Sequence, residues 1–294
     1  NNSPVAETID HFTDGIKADG NGKLHLELRI PLDDVDATKA KGVYEVTNGI
    51  IPSNSTLPEL SRINGKLEFT ESSLRAQNVA ALIYGDPLTF NMETGKDGVM
   101  RIAARGRTSD AGLKQALGSG LTDYLSGTTE WSGDVTIHKQ QVDLAIRSTL
   151  VGMSSSLPAP LAKTVGDSVP LRIKLDDYVP LRIEKTLQGP RQDIVSLNYG
   201  NFLNAKLIRI EQKDEMHVER GEIGINQQAE IPSQSGINVR GTLDHLNMDE
   251  WRTVLGESST GKDSTPSINN VDLAINALDI FDRRINQLKL NAKS

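Results

Sequence analysis

The chain has no cysteine. That removes disulfides, thiolate nucleophiles and Cys-ligated zinc or iron–sulfur centres. Aromatic residues make up only 4% of the 294 residues, and hydrophobic residues only 37%. A thick closed core draws on more apolar mass than this, so a thin or open sheet suits the composition better. No apolar run approaches the roughly 18 residues that a membrane-spanning helix needs. No basic run stands out, and the formal net charge of −7 mixes both signs along the chain. A nucleic-acid partner is therefore not expected. No signal-peptide pattern is present, and the sequence opens Asn1-Asn2-Ser3 rather than with Met. It reads as an expressed fragment or a processed product, with any membrane anchor outside it.

Catalytic patterns are equally scarce. Of His11, His25, His138, His217 and His245, none has another at metal-ligand spacing. Acidic neighbours occur at Asp33-Asp34, Asp176-Asp177 and Asp249-Glu250. Adjacent strand residues point to opposite faces, which separates such pairs. Asp249-Glu250 falls in the first turn of a predicted helix, where acids favour the positive dipole end. There is no G-x-S-x-G, no Walker loop and no G-x-G-x-x-G opening a helix. The expectation is no catalytic residue, no metal, no cofactor and no enzyme.

What the sequence does have is a beat of two. Lys23-Leu24-His25-Leu26-Glu27-Leu28-Arg29-Ile30 alternates polar and apolar without a break. The beat returns at Val142–Arg147, Val271–Asn276 and Ile285–Leu290. Such alternation puts every second side chain on one face of a strand. The candidate apolar-face residues are Leu24, Leu26, Leu28, Ile30, Leu144, Ile146, Leu273, Ile275, Leu288 and Leu290.

The first strand is predicted at Lys23–Leu32 and the second at Gly42–Ile51; further strands at Asn64–Thr70, Leu74–Tyr84, Pro87–Thr94 and Gly98–Gly106 follow at short, even spacing with turn residues between them, which indicates an antiparallel meander. The fold class is mostly β with a few short helices. One helix runs from Ser109 or Asp110 to Leu117, ended by Gly118; another spans Met248–Leu255, entered from Asn247. A helical stretch at Glu7–Lys17, a hairpin at Lys139-Gln140, an irregular excursion at Gly152–Gly166 and a strand at Leu181–Leu187 complete the reading. Trp131 and Trp251, the only tryptophans, are expected to plug gaps where a strand or helix crosses the sheet. The organisation is a lead-in with the first strand (1–40), then two β-rich units (41–166 and 167–294). One sheet running through both units is the alternative.

Several segments resemble the YhdP group of the AsmA-like proteins. They are Leu57-Pro58-Glu59-Leu60 followed by Ile63-Asn64-Gly65-Lys66-Leu67-Glu68-Phe69; Gly106 followed by the short helix and Leu125-Ser126-Gly127; Trp131-Ser132-Gly133-Asp134-Val135 leading to Ser148–Gly152; and Leu157-Pro158-Ala159-Pro160-Leu161-Ala162-Lys163. Gly241-Thr242-Leu243 with Met248-Asp249-Glu250-Trp251 extends the likeness, so that it covers roughly Gly42 to Ala292.

The resemblance implies a periplasmic part of a protein anchored in the inner membrane of Gram-negative bacteria. It implies a long, twisted, curled sheet forming a hydrophobic trough that moves phospholipid towards the outer membrane. The partner would be a phospholipid or another acyl lipid, and the excised piece would tend to self-associate through its apolar face. On this reading the ten alternating residues line the trough. The competing reading is a non-catalytic structural or protein-interaction module of the cell envelope.

Overall fold

The computed structural model describes residues 19–31, 33, 39–53, 58–70, 72–95, 97–138, 141–177, 190–213, 215–257 and 267–293. The expected helix at Glu7–Lys17, the Lys139-Gln140 turn and the strand at Leu181–Leu187 lie outside these residues.

Among the described residues sixteen strands belong to one sheet: fifteen follow one another in chain order from β1 to β16, and β9 lies off that path, paired to β7. They are β1 Asp19–Arg29, β2 Lys39–Ile51, β3 Leu60–Thr70, β4 Leu74–Ile83, β5 Asp86–Thr94, β6 Met100–Ser109, β7 Leu125–His138, β8 Gln141–Ser148 and β9 Met153–Ser155. The remainder are β10 Leu171–Asp177, β11 Gln192–Tyr199, β12 Leu203–Gln212, β13 Glu215–Ile225, β14 Gly236–Asn247, β15 Ile268–Ile280 and β16 Arg283–Lys293. Among the described residues two α-helices interrupt them, α1 at Asp110–Leu117 and α2 at Met248–Glu257. The chain divides into two compact units: unit 1 is Asn1–Arg107 with Trp131–Leu144, and unit 2 is Thr108–Glu130 with Ala145–Ser294.

In unit 1, β1 to β6 pair in succession and antiparallel. The β4–β5 hairpin turns through Tyr84 (φ 51°) and Gly85 (φ 82°). Positive φ at both central residues matches the right-handed twist of the flanking strands. Three neighbouring strands each carry an interruption. Apolar spacing lengthens from two to three at Val46/Gly49, Leu60/Ile63 and Ala76/Val79, where the registers shift. Asn48, Arg62 and Asn78 sit at φ 53°, 49° and 52°. The Asn48 amide donates to Asn64 Oδ1 (3.1 Å), and the Asn78 amide donates to Asn91 Oδ1 (2.7 Å). Each extra residue absorbs a polar side chain and returns the next apolar one to the buried side. Ile63, Ala76, Val79, Ala81 and Leu88 form the resulting core. Met100, Ile137 and Val142 form a second cluster.

In unit 2, β10 to β13 are antiparallel, and so are β15 and β16. β13–β14 and β14–β15 are parallel, where the sequence indicates an antiparallel meander. Parallel neighbours need a crossover that carries the chain back to its starting end. Residues 226–235 make the first return, and α2 begins the second. The first crossover is anchored by Glu222, which is 3% exposed. Its carboxylate accepts from the Glu230 amide (3.2 Å) and from Arg240 Nη2 (2.8 Å).

Both helices begin as their sequences direct, and α1 also ends so. Ser109 Oγ accepts from the Gly112 amide (3.0 Å), and Gly118 closes α1 at φ 82°. Asn247 Oδ1 accepts from the Asp249 and Glu250 amides at 3.1 and 3.2 Å. The expected excursion at Gly152–Gly166 contains β9 and a bridge from Ser155 to Lys163. Lys163 is 7% exposed, and its ammonium donates to the carbonyls of Met153 (2.6 Å) and Thr164 (3.0 Å). A lysine brings three donors to a loop whose carbonyls lack ladder partners. Burial pushes its pKa down.

Candidate functional site

Residues directly opposite each other in a ladder share a face. Following the registers across unit 2 therefore gives whole rows of side chains. One row is Ile173, Leu197, Ala205, Ile223, Val239, Val271 and Ala292. The next is Leu171, Tyr199, Leu203, Ile225, Gly241, Leu273 and Leu290. A third, on the other side of the first, is Leu175, Val195, Leu207, Gly221 and Ile237. All three rows lack a charge. The reverse face reads Arg172, Asn198, Asn204, Gly224, Arg240, Asp272 and Asn291. Beside it run Lys174, Ser196, Lys206, Glu222, Asn238, Asn270 and Lys293. The contrast holds across these five rows, while the next reverse-face row, Asp176, Ile194, Ile208, Arg220 and Gly236, is mixed, with Ile208 fully buried.

Unit 1 shows the same division. Leu24, Tyr44, Leu67, Ala76, Met92 and Ile102 form one row across β1 to β6. Behind it lie His25, Val43, Glu68, Arg75, Glu93 and Arg101.

The apolar rows are neither sealed nor bare. Ile173, Leu197, Leu203, Ile223, Val239 and Val271 are all half-buried. The ten sequence-derived candidates fall into three groups. Leu24, Leu26, Leu28 and Ile30 are exposed, at 49–56%. Leu144, Ile146, Leu273 and Leu288 are half-buried, and Leu290 is exposed. Ile275 is only 2% exposed; it packs with Leu243 and Leu278, bordered by Met248 of α2. Leu273, Ile275 and Leu288 thus share one cluster, and the β1 residues lie in the other unit. Leu171, Ile173, Leu175, Val195, Leu197 and Leu207 were not singled out from sequence. Leu171-Arg172-Ile173-Lys174-Leu175-Asp176 carries the same alternating signal in a shorter run.

One ion pair borders the apolar rows of unit 2. Asp193 and Arg209 face each other directly in register. Asp193 is 2% exposed. Arg209 donates from Nε to Asp193 Oδ1 (2.8 Å) and from Nη2 to Oδ2 (2.7 Å). A second ionic group joins β14, β15 and β16. Arg284 donates to both oxygens of Asp279 (2.7 and 2.8 Å), and His245 Nε2 lies 2.8 Å from Oδ2. The Arg284 guanidinium, with His245 second, holds the Asp279 carboxyl well below the usual carboxylate range. Asp279 is thereby fixed as an ion rather than poised as a base. Among the described residues no group of three or more His, Cys, Asp or Glu is placed to hold a metal.

The two tryptophans make different contacts. The Trp131 indole covers Gly106, where a Cβ would come within 2.6 Å of Trp131 Cζ2. Trp251 Nε1 on α2 donates to the Ala159 carbonyl (3.0 Å). That bond joins the Leu-Pro-Ala-Pro segment to the Met-Asp-Glu-Trp segment, 92 residues apart in sequence. Asp249 serves a purpose that the sequence did not indicate. Its carboxylate accepts from the amides of Phe281 (3.0 Å) and Asp282 (3.2 Å) in the β15–β16 turn. Both turn residues have positive φ, at 52° and 56°. Arg252 stacks 5.1 Å from the Phe281 ring centroid.

These features define a class: a mostly β protein whose sheet sets uncharged aliphatic rows against a polar reverse face. The chain belongs to the YhdP protein family, whose model matches residues 1–294. It is similar to the intermembrane phospholipid transporter YhdP of Escherichia coli (strain K12), with 28% identity over 186 residues, 59% of this chain and 14% of the relative. The chain thus spans a small part of that relative's length. No solved structure matches it. Among the described residues no helix is long and apolar enough to cross a membrane.

Proposed function

We propose that this chain shelters phospholipid acyl chains against its aliphatic rows, as a periplasmic part of an inner-membrane-anchored protein that carries lipid towards the outer membrane. The observation that carries the reading is the row-by-row segregation in unit 2, where seven strands present aliphatic side chains on one face. Seven strands span about 29 Å along the hydrogen-bonding direction, from a spacing near 4.8 Å. Half a bilayer's hydrocarbon core is about 15 Å, so the rows have room for both chains of one lipid. Each buried CH2 contributes roughly 0.8 kcal/mol, which puts an upper bound near 12 kcal/mol on a sixteen-carbon tail. Half-buried walls recover only part of that. Partial recovery suits a conduit, because a lipid held at the full value would not move on. The naming of the E. coli relative as an intermembrane phospholipid transporter supports the same reading.

A structural or protein-docking role is the second reading. It is favoured by exposed Leu24, Leu26 and Leu28 on β1, the end strand of the sheet among the described residues, and by exposed Ile30 just after it, since an end strand with apolar side chains also receives protein. The test is photo-crosslinking in cells with the full-length protein. A crosslinking residue replaces Leu26 or Leu197, with Glu27 and Ser196 as reverse-face controls. Phospholipid adducts at Leu26 and Leu197 alone are expected. Protein adducts only, or equal lipid adducts at both sets, would overturn the lipid reading.

A further inference from the structure

We infer that Arg209 is a phosphate-binding point for the lipid headgroup, at the margin of the aliphatic rows of unit 2. The inference rests on the acyl-sheltering reading and adds a polar anchor to it. The row next to Leu175, Val195 and Leu207 is Asp177, Asp193, Arg209 and Val218, in which Arg209 is the one cation. One step further out, Arg191 stands opposite Glu211, whose amide donates to the Arg191 carbonyl (2.8 Å). The face therefore changes from aliphatic to ionic within a single row.

The manner of the pairing is informative. A guanidinium has five N–H donors. Asp193 takes the Nε–Nη2 edge with both oxygens. The outer Nη1–Nη2 edge is the other edge that a planar oxyanion can grip with two parallel bonds, and phosphate fits it. The Asp193 side chain is 3% exposed and that of Arg209 is 28% exposed. The carboxylate is thus the buried brace, and the guanidinium is the reachable partner. The brace fixes the direction of the fork before any ligand arrives.

Distances fit a lipid. From Arg209 to Leu203 the strand runs six residues, about 20 Å at 3.3 Å each. The acyl region of one bilayer leaflet is about 15 Å deep. A phosphate at Arg209 leaves its tails lying over Leu207, Ala205 and Leu203 and their row neighbours.

The test uses the full-length protein, purified in detergent and offered two probes with the same photoactivatable acyl chains. One is a phosphatidylglycerol and the other a diacylglycerol that lacks phosphate. A charge-assisted bidentate contact predicts that the phospholipid probe labels the protein about tenfold better than the diacylglycerol. The paired variant Arg209→Gln/Asp193→Asn, which keeps the shapes and removes both charges, is expected to erase that preference while total acyl labelling persists. Arg209→Lys should restore part of it. Equal labelling by both probes in the wild type would overturn the headgroup contact and leave the acyl reading intact. Absence of labelling by either probe would overturn the acyl reading first. Phosphorus NMR with inorganic phosphate separates the two sources of the anion. Arg209-dependent line broadening without any probe preference would assign the fork to free phosphate and refute the lipid headgroup.

Discussion

Ile275 and Leu26 occupy identical places in their alternating patterns, yet they should respond very differently to truncation. Ile275 is 2% exposed, between Leu243 and Leu278, whereas Leu26 is 49% exposed. Fully burying such a side chain contributes about 1.5–3 kcal/mol. Ile275→Ala loses that transfer term and leaves a cavity, for a cost of about 3 kcal/mol. Leu26→Ala loses roughly half of the transfer term and opens no cavity, so its cost is about 1 kcal/mol or less. The two changes can be read separately, because Trp131 belongs to unit 1 with Leu26 and Trp251 to unit 2 with Ile275. Urea unfolding of Trp131→Phe and Trp251→Phe backgrounds, followed by fluorescence of the remaining indole, gives a midpoint for each unit. Leu26→Ala should then reduce lipid crosslinking without shifting the unit 1 midpoint appreciably. Equal stability losses at the two positions would refute the argument. They would mean that the β1 row is covered in solution, as by self-association of the apolar face.

Two further outcomes follow from the ionic contacts. Asp249→Ala removes the acceptor for the Phe281 and Asp282 amides; those two amides should exchange with deuterium faster while the β15 ladder stays protected, and unchanged exchange at both would contradict the turn-holding role. The carboxyl of Asp279 is held below its unfolded value near 3.9, so its pairing with Arg284 stabilises fully above about pH 4 and fades as the pH falls through the folded pKa. The stability gap between the wild type and Arg284→Gln, read from Trp251, should be full near neutrality and narrow progressively as the pH falls below about 4; a gap independent of pH would count against it.

The strands were legible because alternation is a local signal. β1 to β6 fall where Lys23–Leu32, Gly42–Ile51, Asn64–Thr70, Leu74–Tyr84, Pro87–Thr94 and Gly98–Gly106 were expected, give or take a few residues. Pairing direction was not legible, since the beat of a strand is the same beside a parallel or an antiparallel neighbour. Hence the parallel β13–β14–β15 set came only from the structure. Burial was not legible either. Leu273-Ala274-Ile275 reads like Leu24-His25-Leu26, and what separates them is a cluster that includes Met248 of the neighbouring α2. The acidic start of α2 was expected to serve the helix dipole. Asp249 instead reaches a turn 32 residues away, and no local pattern announces that contact. The interruptions at Asn48 and Asn78 were not anticipated, because the strand that supplies the accepting side chain depends on register.

The Trp251–Ala159 bond has a consequence for the order of folding. Neighbouring antiparallel strands such as β4 and β5 are joined by a two-residue turn and close a small loop quickly. The parallel strands β13, β14 and β15, together with α2, must wait for their crossovers, and the indole must find a carbonyl 92 residues away. Contacts of such long sequence separation are slow to form. The β4–β5 hairpin should therefore assemble early, and the α2 clasp should close last. Aliphatic rows would stand uncovered in that interval, which makes the nascent chain a natural client for a holding chaperone.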